Sequence, residues 1–236
     1  MAGENKTYIV TTFYKFVVIK DCDEMKLQLK RFCTNNQILG TILLAEEGVN
    51  STIIGSREAI NSFYAFMESI PEFTQMEYKE SVADNAPFKK LKVKIKPEIV
   101  TFNMPMLDAS KVGKHLNAEE WDEIISRKDA IVIDCRNDYE VVFGTFKNAI
   151  DPKTRKFTEL PDWIERNVPA DDKNIPIAMF CTGGVRCEKS TAYMRSLGYE
   201  NVYHLKGCIL QYLEERKDQD HLWQGKCFVF DDRIMV

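Results

Sequence analysis

The segment IPIAMFCTGGVRCEKSTAYMRSL, residues 175–197, joins an apolar run to a short loop and a helical stretch. Residues 175–180 have the continuous apolar character of a buried parallel strand, and the helical pattern begins near Cys187. Cys181 therefore follows a strand and precedes a helix. Unpaired N–H groups and the helix dipole favour an anion at that position. We predict that Cys181 is held as a reactive thiolate.

The loop after this cysteine has the composition of an anion cradle. Two glycines permit conformations in which successive amides surround one anion, and an arginine adds positive charge. The predicted cradle residues are Thr182, Gly183, Gly184, Val185 and Arg186. The Cys-x4-Arg spacing is one residue shorter than the Cys-x5-Arg loop of phosphatases, which suits a persulfide or another small sulfur-bound group. The alternative is a buried cysteine at a strand end, followed by a glycine turn.

Length and charge narrow the possible classes of protein. The 236 residues allow one or two domains, and 44% hydrophobic residues suffice for ordinary cores. A formal net charge of −4 provides no overall basic field, so any RNA contact must come from a local patch. The apolar runs are strand-sized, well below the roughly 20 residues that span a bilayer. We expect neither a DNA partner nor a membrane.

Cysteine and histidine usage indicates a reducing compartment and no metal site. The seven cysteines are an odd number, and the amino-terminal residues contain no apolar signal core. Reduced thiols in the cytoplasm fit this pattern best. There is no Cys-x2-Cys pair, and His115, His204 and His221 are far apart in the sequence. We therefore expect no metal, with His204 serving as a strand residue.

The front part of the chain predicts a compact α+β domain. Residues 1–103 follow the order β-α-β-β-α-β, which is the plan of ferredoxin-like and acylphosphatase-like domains. Asp23 is the expected N-cap of the first helix, and Ser56 is the expected N-cap of the second. Residues 104–115 contain Pro and Gly without clear periodicity, and they are predicted to form the linker to a second domain.

The last predicted strand of this domain carries a row of lysines. Within residues 88–101, lysines alternate with apolar residues, so their side chains share one face. The row consists of Lys89, Lys90, Lys92, Lys94 and Lys96. One interpretation is a solvated strand edge that resists aggregation. The other is an RNA-binding patch in which the lysines contact phosphates.

The second part of the chain predicts an α/β domain. Residues 116–218 alternate buried strand patterns with helices, which favours a parallel sheet with helices on both faces. The strand at 130–135 ends in Asp134-Cys135-Arg136, and such strand ends lie at the same sheet edge as Cys181. Residues 219–236 are assigned to a C-terminal extension.

Three further polar residues are candidates for supporting roles. Asp134 can orient a loop amide or an arginine, and Arg136 can attract an anionic donor. A structural ion pair between them is the alternative. Cys187 is either a resolving thiol for Cys181 or a packing residue.

Several motifs together resemble the rhodanese domain over roughly residues 116–217. They are the strand end DCRNDYE at 134–140, GTF at 144–146, the Cys181 loop, and LGYENVYHLKG at 197–207. The resemblance implies the parallel-sheet fold predicted above. It also implies that the loop cysteine is the residue tied to activity.

A wider resemblance covers nearly the whole chain. The additional motifs are AEEGVN at 45–50, LKVK at 91–94, the loop extension CEK at 187–189, and CFVFDDR at 227–233. With an acylphosphatase-like front domain, these resemble the rhodanese-domain tRNA uridine hydroxylases. That family implies a cytoplasmic enzyme that uses dioxygen to convert the wobble uridine in the anticodon loop of tRNA to 5-hydroxyuridine, with Cys181 as its catalytic cysteine.

Two departures from the family pattern stand out. Cys208 follows Gly207 where a second glycine is usual, and we expect this exchange of small residues to alter little. Longer members of the family continue beyond the FDDR motif into a cysteine-bearing tail, and we expect any contribution of that tail to lie outside this sequence.

Three functional hypotheses follow from these patterns. The resemblance favours a tRNA hydroxylase, whereas the loop alone equally fits a sulfurtransferase that carries a Cys181 persulfide. A non-enzymatic binding module does not require both Cys181 and Arg186. No 2-His-1-carboxylate, dinucleotide-binding or haem motif is evident in the sequence, so no cofactor is predicted beyond dioxygen as a co-substrate.

Overall fold

The computed structural model describes residues 7–104, 111–230 and 233–235, and the chain divides into two compact units. The first unit extends to Val100, and the second begins at Thr101. Near the carboxyl end, Arg233 belongs to the first unit and Ile234 to the second. An α+β unit followed by a unit with a parallel sheet and helices confirms the predicted fold class.

The first unit is a five-stranded sheet with two helices. Its elements are β1 (Tyr8–Phe16), α1 (Cys22–Asn35), β2 (Leu39–Ala45), β3 (Gly48–Gly55), α2 (Arg57–Glu68), β4 (Lys79–Ala83) and β5 (Leu91–Ile95). The strand order is β4-β1-β3-β2-β5, and β5 runs parallel to β2 while the other pairs are antiparallel.

Capping residues determine where both helices of this unit begin. The Ser56 side chain accepts a hydrogen bond from the Ala59 N–H, as predicted for α2. The prediction of Asp23 as the cap of α1 is wrong, because Asp21 accepts the bond from the Glu24 N–H and the helix begins at Cys22. The inner faces of both helices pack on the sheet, where Leu29 and Phe63 are fully buried.

The lysine row lies at the edge of this sheet. β5 is the last strand in the order, and all five predicted lysines are exposed. Lys92 and Lys94 lie within β5, whereas Lys90 and Lys96 flank it. Within the described ranges, none of the five forms an ion pair. Their charges are therefore available to solvent or to a polyanion.

The second unit is built around a parallel sheet. Its elements are β6 (Lys114–Leu116), α3 (Ala118–Ile125), β7 (Ile131–Asp134), α4 (Asp138–Val141), β8 (Gly144–Phe146), α5 (Leu160–Asn167), β9 (Ile177–Phe180), α6 (Val185–Ser196), β10 (Val202–Leu205), α7 (Cys208–Glu215) and β11 (Trp223–Gly225). Four strands form the sheet in the order β6-β10-β9-β7, and β8 pairs with β11 separately.

The predicted linker at 104–115 is wrong at its carboxyl end. Lys114 and His115 belong to β6, which pairs with β10 in the second sheet. The Gly113 N–H also donates to Thr191 Oγ1 at 3.0 Å. A three-residue edge strand is too short to produce a recognisable alternation in sequence. Residues 105–110 of the predicted linker lie outside the described residues.

In the described ranges, no helix is both long enough and apolar enough to cross a membrane.

The turn between β2 and β3 supplies a test of the first unit. Gly48 has φ +145°, and a Cβ at this position would lie 2.0 Å from the Lys15 carbonyl oxygen. We expect Gly48→Ala to lower the free energy of unfolding by about 3 kcal/mol or more, because backbone strain adds to a collision. Gly198→Ala is the control, since φ is +88° but no atom lies within 4 Å. Denaturant unfolding followed by circular dichroism measures the free energy of unfolding of both variants. Equal losses in Gly48→Ala and Gly198→Ala would contradict the expected collision.

Candidate active site

Cys181 and the Asp134–Arg136 segment emerge at one edge of the parallel sheet. Cys181 follows the last residue of β9, and Asp134 is the last residue of the adjacent strand β7. The Cys135 N–H donates to the Phe180 carbonyl oxygen at 2.8 Å, which joins the two strand ends. The register of β7 and β9 therefore brings Cys181 close to the Asp134–Arg136 segment, as predicted.

The Cys181 sulfur lies among short-range hydrogen-bond donors. Its side chain is fully buried, and the Gly184 N–H donates to Sγ at 3.2 Å. The Cys208 sulfur lies 3.8 Å from the Cys181 sulfur and accepts from the Cys181 N–H at 3.4 Å. The Cys187 and Cys208 sulfurs are 3.5 Å apart. Three thiols thus form one buried cluster.

This environment favours the thiolate of Cys181. Burial raises its pKa, but hydrogen bonds from Cys187 and Cys208, the Arg186 charge and the Gly184 N–H together hold the pKa well below the usual value. Burial raises the pKa of Cys187 and of Cys208 well above the usual value. Of the three thiols, Cys181 is therefore the one that its surroundings favour as the anion, whereas burial favours the protonated form of Cys187 and Cys208.

Gly184 sets the geometry of the loop. Its φ of +111° is one that residues with a Cβ rarely adopt, and it immediately precedes α6. The helix begins at Val185, two residues earlier than the sequence pattern suggested. Val185 and Arg186 consequently belong to the first turn of α6 rather than to a free loop.

Arg186 adds positive charge to the cradle, as predicted, and that charge lowers the pKa of Cys181, but the guanidinium is also paired with an acid. Its guanidinium forms two hydrogen bonds with Glu140, at 2.6 Å and 2.7 Å, and both side chains are buried. Thr182 Oγ1 accepts from Arg186 at 3.2 Å and donates to Glu140 at 3.3 Å. Sequence reasoning missed Glu140, although it lies six residues after the end of β7. Its carboxylate holds the arginine in place.

Asp134 and Arg136 form a buried ion pair, which is the alternative that the sequence left open for them. Their shortest N–O distance is 2.6 Å, and both side chains are fully buried. Arg136 also donates to the Gly144 carbonyl oxygen at 2.6 Å, and Asp134 accepts from Thr145 at 2.9 Å. The prediction that Arg136 attracts an anionic donor is wrong for this conformation, because its guanidinium is enclosed and neutralised.

Cys208 is a site residue that sequence reasoning dismissed. It begins α7 with φ +53°, a value uncommon for a residue with a side chain. The N–H groups of Ile209 and Leu210, in the same helix turn, donate to the carbonyl oxygens of Cys181 and Thr182 at 3.2 Å each. That cysteine in place of glycine alters little stays a prediction, although the Cys208 sulfur contacts the reactive thiol. The signal in the sequence that could have identified this site residue was a cysteine after Gly207, where a second glycine is usual.

Two groups of side chains in the described residues have the composition of a metal site. One is the thiol cluster, and the other consists of His115, Glu188 and His204; in each group the ligand atoms lie within 4.8 Å of one another. The histidines are far apart in the sequence, but the pairing of β6 with β10 places His115 opposite His204. His204 is a buried strand residue, as predicted, and burial lowers its pKa to about 4.

The lysine row belongs to the first unit, whereas Cys181 and its partners belong to the second. Within the second unit, the contacts described above join seven residues into one site: Cys181, Thr182, Gly184, Arg186, Cys187, Glu140 and Cys208. Asp134 and Arg136 support the neighbouring strand end.

Comparison with known proteins matches both units. The family model of the UPF0176 acylphosphatase-like domain matches residues 8–99, and that of the rhodanese-like domain matches residues 117–215. A relative from Wolbachia pipientis wMel is 50% identical over 98% of this chain and 83% of its own length. Relatives from Anaplasma marginale (strain St. Maries) and Agrobacterium fabrum (strain C58 / ATCC 33970) are 48% and 46% identical over 97% of this chain, covering 83% and 73% of their lengths. All three are named tRNA uridine(34) hydroxylase.

The thiol cluster supplies a pH prediction. Cys208→Ala removes an S–H donor to the Cys181 thiolate, so we expect the pKa of Cys181 to rise and the thiolate to appear at higher pH. Ultraviolet absorbance of the thiolate, titrated against pH and referenced to Cys181→Ser, measures the midpoint. Cys33→Ala, a buried thiol in the first unit, should leave that midpoint unchanged. A midpoint that moves to lower pH in Cys208→Ala contradicts the donor role.

Proposed function

The chain belongs to the tRNA uridine(34) hydroxylase family, and we propose on this premise that it is an oxidoreductase that converts the wobble uridine of tRNA to 5-hydroxyuridine. The observation that carries the proposal is the identity to named hydroxylases over nearly the full length of both units. The reactive cysteine in the matched rhodanese-like domain supplies a nucleophile for it.

Cys181 acts in this proposal as a covalent catalyst. Its thiolate adds to C6 of the uracil ring, forming an S–C6 bond and moving an electron pair toward C5. The nucleophilic C5 then takes one oxygen atom from dioxygen, while an external two-electron donor and two protons convert the other atom to water. Loss of the C5 proton expels the Cys181 thiolate and restores the ring.

The other loop residues position this sulfur. The Gly184 N–H donates to it, Cys208 Sγ lies 3.8 Å from it and lowers its pKa, and the Glu140–Arg186 pair fixes the first turn of α6 beside it. The Arg186 charge also favours the thiolate, although Glu140 neutralises much of it. Because these groups contact the thiolate or its loop rather than the ring, they are positioning residues.

The tRNA partner follows from the wobble uridine. Anticodon-loop bases are unstacked in part, and single-stranded RNA is bound through its phosphates and exposed ring faces. The exposed lysine row on β5 is the basic patch that we assign to this backbone contact. All seven cysteines are free thiols, which supports a reducing cytoplasm as the place of action.

The central test is complementation with Cys181→Ser. In a host that lacks this gene, the wild-type chain should restore 5-hydroxyuridine derivatives to tRNA, and Cys181→Ser should lower the amount more than about 1000-fold because the nucleophile is lost. Nucleoside mass spectrometry measures both. Cys22→Ser, a partly exposed thiol outside the cluster, is the matched control and should restore the product.

A sulfurtransferase is the competing outcome of that test. If neither chain restores the modified nucleoside, while the purified protein transfers sulfur from thiosulfate to cyanide in a Cys181-dependent manner, the hydroxylase proposal is overturned. The same cysteine would then carry a persulfide.

The lysine row is tested by combined substitution of Lys90, Lys92 and Lys94 with alanine. We expect weaker tRNA binding and a plot of log affinity against log salt that is less steep by roughly two to three, because three phosphate contacts are lost. Filter binding across a salt series measures the slope. Alanine at Lys20, Lys30 and Lys128, which are also exposed, removes the same charge elsewhere. Equal effects of the two triple variants would show a general charge effect without a patch.

A further inference from the structure

A second group of reactive side chains lies beside the thiol cluster, on the edge strand β6 and its neighbour β10. These strands are parallel, and their register pairs His115 with His204. Paired residues project to the same face of a sheet, and the two imidazole rings have their centroids 3.8 Å apart. Strand pairing therefore brings together two histidines that are 89 positions apart in the sequence.

Helix α6 adds a carboxylate to this pair. Glu188 lies in the first turns of α6, and its Oε1 atom is 3.2 Å from His115 Nε2. One ligand atom from each of the three residues lies within 4.8 Å of the others. Ligand atoms that share one metal ion at bond lengths of about 2.1 Å are roughly 3 Å apart. Small side-chain rotations would close that difference.

His204 provides an independent indication that the group holds a ligand. Its side chain is 1% exposed, and neither ring nitrogen has a hydrogen-bond partner among the described residues. Burying polar atoms without partners is costly, and native proteins rarely leave both nitrogens of an imidazole in that state. A cation bound to one of these nitrogens would give that nitrogen the partner that burial otherwise denies it.

We propose that His115, Glu188 and His204 form a binding site for a first-row divalent transition cation. Two imidazoles with one carboxylate suit such ions rather than magnesium or calcium, which prefer oxygen ligands. The His115 side chain is 41% exposed, which gives the ion access from solvent and leaves coordination positions open on that side. The site is distinct from the thiol cluster, which would offer only sulfur ligands.

The position of the site connects it with the proposed reaction. His204 pairs across the sheet with Met179, which lies two residues before Cys181. His204 and Cys181 are therefore offset by roughly 7 Å along the strand direction. Two histidines and a carboxylate are the set that holds iron(II) in non-haem oxygenases. This connection rests on the proposed function, whereas the cation site itself does not. A cation here would bring redox chemistry to a chain whose sequence motifs provide none.

The test uses the full chain, freed of metal by a chelator and titrated with Co²⁺ in the absence of RNA. We expect one equivalent of Co²⁺ to bind, with visible absorption bands and without the near-ultraviolet band of thiolate-to-cobalt charge transfer. His115→Ala and Glu188→Gln should each weaken binding at least about 10-fold, as measured by equilibrium dialysis with elemental analysis. Both positions retain some solvent exposure, so that the variants are expected to fold.

His221→Ala is the matched control, because His221 lies outside the group and contacts the Trp223 carbonyl oxygen. It should bind Co²⁺ as the wild type does. Unchanged binding in both His115→Ala and Glu188→Gln would overturn the site, as would a charge-transfer band that disappears in Cys208→Ala, because the ion would then be on sulfur. Absence of any stoichiometric Co²⁺ binding would also overturn it.

Hydroxylation separates the two proposals. Metal-free wild-type chain and His115→Ala, each supplied with Fe²⁺, are compared for 5-hydroxyuridine formation on tRNA. The connection between the cation site and the reaction is supported if the protein binds Co²⁺ at this site and hydroxylation requires Fe²⁺. Hydroxylation should then fall at least about 10-fold in His115→Ala. Failure of metal binding with intact Cys181-dependent hydroxylation overturns the cation site and leaves the proposed function standing. Metal binding without any hydroxylation overturns the proposed function and leaves the cation site standing.

Discussion

The buried ion pair between Glu140 and Arg186 is the constraint on which the site depends. It joins α4 to the first turn of α6, and it reaches Thr182 within the loop through shared hydrogen bonds. Removing one partner would leave an enclosed charge, which typically costs about 3–5 kcal/mol. The pair also limits how far the arginine can act as a positive charge. Short-range donors around the sulfur therefore carry much of the thiolate stabilisation.

The sequence predicted the fold well where one local signal determines an element. The apolar run before Cys181 became β9, and Ser56 begins α2 as predicted. The failures were short elements held by partners distant in sequence. β6 exists because its three residues pair with β10, and β8 exists because it pairs with β11. Neither pairing leaves a periodic pattern in three residues.

The candidate site divides in the same way. A cysteine between a strand and a helix was sufficient to indicate a thiolate, because the geometry of a helix amino terminus is local. The roles of Glu140 and Cys208 depend on contacts across 46 and 27 positions of sequence. His115 and His204 likewise meet only through strand register. Arg186 looked like a free cation in the sequence because its partner Glu140 meets it only in the fold. The Asp134–Arg136 pair, two residues apart, was already visible as an alternative.

The complete burial of Cys181 has a kinetic consequence. A sulfur with no exposed surface cannot touch a nucleobase until its loop or the surrounding side chains separate. Turnover then includes an opening step before the chemistry, and the rate of that step limits how fast bulky electrophiles label the cysteine. The closed state also shields the thiolate from chance oxidation between catalytic cycles. Substrate binding that stabilises the open state would restrict reactivity to the moments when a uridine is present.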